Sequence, residues 1–203
     1  MEQRTDEWFS ARAGKVTASM VYAVAAKGRN GQYYKAREDY LNKLLCERLT
    51  NSPSESVNSR SLQHGRDLEP KARAIYIIET GNDVSEIGFI QHPEITGSGA
   101  SPDGLVYPDG LVEIKCPTTA VHIGFLKNSK PKDEYFYQMQ WQMACTGRKW
   151  CDFVSYDDRL PEHLSYKCIR INRDDDLIQE IETEVVSFLG ELEQQIKELE
   201  EKC

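Results

Sequence analysis

Two kinds of periodicity run along the chain. Near its end, Leu177, Ile181, Val185, Phe188, Leu192, Ile196 and Leu199 recur in steps of three and four, which gathers them into one stripe of a helix. The spacing predicts an amphipathic helix over 174–200 with an acidic outer face. Tyr40, Leu41, Leu44, Leu45 and Leu49 show the same spacing in QYYKAREDYLNKLLCERLT. VTASMVYAVAA reads as a short helix capped by Thr17 or Ser19 and ended by KGRNG. After the polar loop NSPSESVNS, SLQHGRDLEPKARAIYIIETG reads as a helix in which Gly65 and Pro70 predict a kink or a late start. EIGFIQH, SGASPDGLVY, LVEIKC, WCDFVSY and LSYKCIRI predict strands, and PKDEYFYQMQWQMACTG a helix ending at Gly147. Helices come first, then a mostly consecutive set of strands. That order predicts an α/β (α+β) fold, a central mixed β-sheet flanked by helices. One domain over 1–203 is expected, with N-terminal helices in 17–80, sheet and helix in 86–171 and a C-terminal helix in 174–200.

Composition narrows the class. No apolar run approaches the roughly 18–20 residues of a membrane span, and MEQRTDEWFSARAGK has no signal-peptide core, so a cytoplasmic protein is expected. Cys46, Cys116, Cys145, Cys151, Cys168 and Cys203 form no C-x-x-C pair and read as plain thiols rather than zinc or iron–sulfur ligands. His64, His92, His122 and His163 are not at zinc-ligand spacing, and none is expected to hold a metal. His64 reads as structural, with a functional contact as the alternative.

Charge changes the picture more. The net charge is −8, but residues 174–203 carry 11 acids and two lysines, while Arg12 to Arg37 carry six basic residues and no acid. Such a basic stripe either binds phosphates or is a solvated face.

The candidate chemistry lies in SPDGLVYPDGLVEIKCP, residues 101–117. A three-residue loop with Pro108 at i+1 of a type I turn and Gly110 left-handed would pair Tyr107 with Leu111. Leu105 would then face Glu113, and Asp103 would face Lys115, all on one face of the hairpin. Asp103 and Glu113 would be diagonal neighbours roughly 7–8 Å apart at Cα, with the Ile114 carbonyl between them. Hard oxygen ligands suit Mg²⁺, a metal acidifies water and polarises a phosphoryl oxygen, and a nearby lysine orients water or stabilises negative charge. The other reading is a surface hairpin with a cross-strand ion pair.

Pro102-Asp103 with Glu113-Ile114-Lys115 resembles the PD-(D/E)xK nuclease motif. RAGKVTAS, HGRDLEPKAR, SPDGL, EIKCP and YQMQWQM follow in the order of the phage lambda exonuclease and YqaJ-type viral recombinase nucleases. The resemblance covers about residues 8–170. It implies a restriction-endonuclease-like core and a Mg²⁺-dependent exonuclease, with Mn²⁺ substituting. Such an enzyme degrades one strand of linear double-stranded DNA 5′ to 3′, releases 5′-mononucleotides and leaves a 3′ overhang. The resemblance further implies a homotrimeric ring, a single-strand annealing protein as partner, and a phage or prophage origin in a bacterial host. By position, Asp103 and Glu113 correspond to metal ligands and Lys115 to the catalytic lysine. Glu69 corresponds to an acid that helps hold metal-bound waters. Arg12, Ser19, Ser101 and Gln138 match a 5′-phosphate pocket, Arg29 a DNA-tracking residue and Leu62 an apolar wedge. Plainer roles stay open for three of them: Gln138 satisfying a buried carbonyl, Leu62 in the core, Glu69 an ordinary acid. The competing functions are an endonuclease or repair nuclease of the same motif class, and a non-catalytic DNA-end-binding clamp.

Overall fold

The computed structural model describes residues 1–54 and 60–202, with the backbone alone for 60–62. In chain order its elements are α1 (Asp6–Arg12), β1 (Val16–Thr17), a 3₁₀ turn (Ala18–Met20), α2 (Val21–Ala25), α3 (Lys35–Thr50), α4 (Arg60–Thr80), β2 (Val84–Ser85), β3 (Ile90–Gln91), β4 (Ser98–Ala100), β5 (Gly104–Val106) and β6 (Gly110–Lys115). They continue as α5 (Thr119–Asn128), α6 (Asp133–Thr146), β7 (Trp150–Tyr156), α7 (Glu162–Ser165), β8 (Tyr166–Asn172) and α8 (Asp175–Glu200).

The α/β class is as expected, but the strands form two mixed sheets rather than one. The larger has the order β2-β5-β6-β7-β8, the smaller β1-β4-β3. Strands β6 and β7 are parallel, so the chain must cross over between them, and α5 and α6 make that crossing. The second sheet exists because Val16 and Thr17, read as part of a helix, instead pair with Ser98 and Gly99 of β4. The helix there shrinks to Val21–Ala25, and Thr17 makes no side-chain cap bond. Helices α1, α5 and α7 and strand β2 were not foreseen. α1 is capped by Thr5, whose hydroxyl accepts the Trp8 N–H at 3.3 Å. EIGFIQH supplies only the two residues Ile90–Gln91 to a strand.

The predicted stripe of α8 forms the largest core. Ile181, Val185, Phe188 and Leu192 are fully buried against Val21, Val24, Tyr40, Leu44 and Trp141. Each such side chain contributes about 1.5–3 kcal/mol on burial. Leu199 lies beyond the packed turns and is exposed. Helix α4 runs unbroken through Pro70. Proline there costs about 3 kcal/mol, and the packing of Ala72 and Tyr76 on Val112, Ile114 and Val154 offsets it.

Strand β6 is buried on both faces. Val112 and Ile114 pack toward α4, while Leu111 packs with Met139 and Met143 of α6. Alternation along the strand puts Glu113 and Lys115 on the Leu111 side. The fold thereby points an acid and a lysine at α6.

Candidate active site

The β5–β6 hairpin differs from expectation by two residues. Leu105 opposes Leu111 and Gly104 opposes Val112, so continuing the ladder brings Asp103 opposite Glu113 rather than Lys115. The loop is Tyr107-Pro108-Asp109, with a cis Tyr107–Pro108 bond. Gly110 is not left-handed. It pairs within the sheet, and a Cβ there would sit 2.1 Å from the Trp150 indole. Because the slip is even, the side-chain parity survives, and both acids remain on one face.

Asp103 is half-buried, and its Oδ2 accepts the Ile114 N–H at 2.7 Å. Glu113 is only 1% exposed. Its Oε1 accepts from Gln138 Nε2 at 2.6 Å and meets Lys115 Nζ at 2.5 Å, and its Oε2 accepts from Gln142 Nε2 at 2.6 Å. A buried carboxylate requires such donors. Gln138 and Gln142 supply them from one face of α6, one turn apart. Gln138 therefore serves a buried carboxylate, not a carbonyl. Gln142 was missed, although its signal was present as a glutamine one helical turn after Gln138, in the run YQMQWQM.

Negative charge is crowded at this centre. Burial, then the charges of Glu113 and Glu69, push the Asp103 carboxyl well above the usual aspartate range, against the pull of Lys115 and the Ile114 N–H. Burial works against the Lys115 ammonium, but Glu113 and Asp103 outweigh it and raise its pKa above the ordinary lysine value. A dication near Asp103 would relieve the crowding of negative charge. Two carboxylates with the Ile114 carbonyl are hard oxygen donors that fit Mg²⁺.

A cavity of about 570 Å³ opens onto this centre, and Arg12, Ser19, Ser101 and Gln138 line it together with Asp103, Glu113 and Lys115. The four residues expected at an anion pocket thus share one space with the acids and the lysine. Ser101 Oγ accepts from Arg12 Nη1 at 3.2 Å and from Trp8 Nε1 at 3.0 Å. The Arg12 guanidinium lies 4.0 Å over the Trp8 ring. Burial lowers the Arg12 pKa while Tyr40 and Glu47 oppose it, so an anion in the cavity would be welcome to it. Trp8 was missed because the short α1 carries no readable stripe.

A second cavity of about 400 Å³ shares Arg4, Arg66, Asp103 and Lys115 with the first and adds Glu69 and the Ile114 region. Glu69 is not a free acid. It accepts from Arg73 Nη2 at 2.8 Å and forms an ion pair with Arg4.

Other expected site residues lie elsewhere. Arg29 is exposed in a turn and lines neither cavity. Leu62 falls outside the residues whose side chains are described. The basic stripe is not one free face: Lys27 pairs with Glu184 at 2.6 Å, and Arg37, almost buried, makes a two-pronged pair with Glu191 at 2.7 Å. The acidic face of α8 neutralises that part of the stripe and leaves Arg12 and Lys15 at the cavity. One histidine nevertheless sits beside two acids in the fold. His64 lies with Asp157 and Asp158, their ligand atoms all within 4.8 Å of one another.

Comparison with known proteins places the chain among its relatives. Residues 7–149 match the YqaJ-like viral recombinase domain. Among solved structures, the alkaline exonuclease LHK-Exo of Laribacter hongkongensis is 57% identical, with a TM-score of 0.91 over 98% of this chain and 97% of that one. The same enzyme in complex with dAMP matches equally. A phage related exonuclease from Haemophilus somnus shares the fold, at 18% identity and a TM-score of 0.73 over 91% of this chain and 96% of that one. No curated protein matches. With the family domain spanning most of its length, the chain belongs to the YqaJ-like viral recombinase family.

Proposed function

We propose that this protein is a Mg²⁺-dependent exonuclease, with Mn²⁺ able to substitute. It degrades one strand of linear double-stranded DNA from the 5′ end, releases 5′-mononucleotides and leaves a 3′ overhang. The observation that carries the reading is the single cavity in which Asp103, Glu113 and Lys115 meet Arg12, Ser19, Ser101 and Gln138. The identity with an alkaline exonuclease, and that enzyme's complex with dAMP, support a nuclease with a mononucleotide product.

Asp103, Glu113 and the Ile114 carbonyl would hold the metal, which supplies polarisation of the phosphoryl oxygen and a more acidic water. Glu113 is held in one rotamer by Gln138 and Gln142, so its carboxylate is preorganised. Lys115, kept protonated by its acidic neighbours, stabilises negative charge on the phosphate as it develops rather than accepting a proton. Arg12 and Ser101, with Ser19 across the same cavity, receive the terminal 5′-phosphate through charge-assisted bonds. Glu69, on the adjoining cavity wall, orders water near Asp103. Arg29 and Leu62 retain the roles of backbone contact and end wedge that the family resemblance implies.

The whole chain, 1–203, acts as one nuclease domain in the cytoplasm of a bacterial host, alongside a single-strand annealing protein. No described helix is long and apolar enough to cross a membrane. Assembly is a homotrimeric ring, which closed rotational symmetry builds from one repeated interface. Light scattering should return three times the chain mass of 23.2 kDa. A monomer that still digests long stretches without dissociating removes the ring from the account.

The direct test of the function is linear duplex carrying either a 5′-phosphate or a 5′-hydroxyl. The phosphorylated end should be digested faster by roughly tenfold or more, the value of one charge-assisted contact of about 1.5–3 kcal/mol. Arg12→Ala should erase most of that preference. Equal digestion of both ends by the wild-type protein refutes the pocket. Opening of closed circular DNA would favour an endonuclease instead.

A further inference from the structure

The group formed by His64, Asp157 and Asp158 stands apart from the residues proposed to hold the catalytic metal. His64 lies in the first turns of α4, and the two aspartates follow the end of β7. Their ligand atoms all lie within 4.8 Å of one another. Two of the three side chains carry a buried atom with no hydrogen-bond partner: Nε2 of His64 and Oδ2 of Asp157. Asp157 is fully buried. Its other oxygen is well served, accepting from Arg159 Nε at 2.6 Å and from the Arg159 N–H at 3.1 Å. A buried polar atom left unpaired costs about 1–3 kcal/mol. His64 and Asp157 each bring an unpaired buried atom, a ring nitrogen and a carboxylate oxygen, to this cluster, which is the pattern expected where a ligand belongs.

We propose that His64, Asp157 and Asp158 form a further divalent-cation site, selective for a transition-metal ion of the Zn²⁺ type over Mg²⁺, which ties the start of α4 to the end of β7. Selectivity follows from the donor set. Imidazole nitrogen suits Zn²⁺ and its neighbours, whereas Mg²⁺ keeps water and oxygen ligands. One histidine and two carboxylates leave a position for water, as in open Zn²⁺ sites. Metal bonds of roughly 2.0–2.2 Å draw their ligands close around the ion. The exposed Asp158, whose partner is the exposed Lys71 at 3.3 Å, is the side chain with room to swing in.

The position gives the ion a structural consequence. Gly65, next to His64, and Pro117, whose carbonyl accepts from Arg159 Nη2 at 2.9 Å, both line the cavity that holds Asp103 and Glu69. A metal there would brace the α4 end of that wall.

The test uses the full chain carrying Asp103→Asn, so that the proposed catalytic metal does not contribute. Metal-free protein is dialysed against ZnCl₂ in a large excess of Mg²⁺, and bound zinc is counted. One zinc per chain should resist the Mg²⁺ and raise the melting temperature. Adding His64→Gln should remove one zinc per chain or weaken it by roughly tenfold or more, as loss of an imidazole donor predicts, and should abolish the thermal shift. Asp158→Asn, at an exposed position, should weaken binding in the same way. Melting in chelator shows whether each variant folds. Absence of tightly bound zinc in the Asp103→Asn chain overturns the proposal, and so does zinc binding unchanged by both His64→Gln and Asp158→Asn. Neither result bears on the nuclease reading, which the 5′-end assay tests separately.

Discussion

Asp103→Asn should lower hydrolysis of linear duplex DNA by roughly 10²–10³-fold or more, equivalent to several kcal/mol of Lewis-acid stabilisation at about 1.4 kcal/mol per factor of ten. The substitution is nearly isosteric. An asparagine oxygen can still accept the Ile114 N–H that Asp103 accepts at 2.7 Å, so what is lost is the charge. Because burial, Glu113 and Glu69 already disfavour that charge without a cation, the variant should melt at the same temperature as the wild type or higher. DNA binding in a mobility-shift assay should persist, since a negative group near the phosphates has been removed. Glu113→Gln should cost a similar factor in rate. Its buried site is lined by two amide donors and an ammonium, so an amide there also loses a good acceptor and some stability. Release of acid-soluble nucleotides at the wild-type rate by either variant would show that the acids are not the metal ligands.

The second large effect is expected at Lys115. Lys115→Ala should lower kcat by roughly 10²–10³-fold with KM little changed, because an interaction that strengthens as charge develops acts on the transition state. The raised pKa of Lys115, set by Glu113 and Asp103 against burial, means that raising the pH through the ordinary lysine range should not mimic the substitution. Removing the ammonium also leaves Glu113, 1% exposed, with only its two glutamine partners. Thermal melting must therefore accompany the kinetics. If turnover survives while KM rises, Lys115 is a phosphate anchor and the proposed division of labour fails.

Much of this site was legible before any fold was known, for a local reason. Side chains alternate along a strand whatever its neighbours, so placing Asp103, Glu113 and Lys115 on one face required only that the hairpin loop have an odd length. The stripe of α8 and the end of α6 at Gly147 were equally local, set by helical period and a glycine that turns left-handed, at φ 68°. The motif order carried Arg12, Ser19, Ser101 and Gln138 to a common site, and all four line one cavity.

Tertiary structure decided the rest, because each remaining feature joins residues distant along the chain. The hairpin register moved by two because Gly110 had to enter the sheet beneath Trp150, forty positions later, where no larger side chain fits. Val16 and Thr17 became a strand once β4 offered backbone partners, which local helix propensity could not anticipate. The basic stripe lost Lys27 and Arg37 to Glu184 and Glu191, acids more than 150 positions away that α8 carries back across the N-terminal helices. Gln142 became a Glu113 partner only because β6 is buried against α6. His64 met Asp157 and Asp158 because α4 packs over the sheet that ends in them. Periodicity and turn chemistry act within a few residues, whereas charge pairing, close packing and ligand clusters depend on which surfaces the fold presses together.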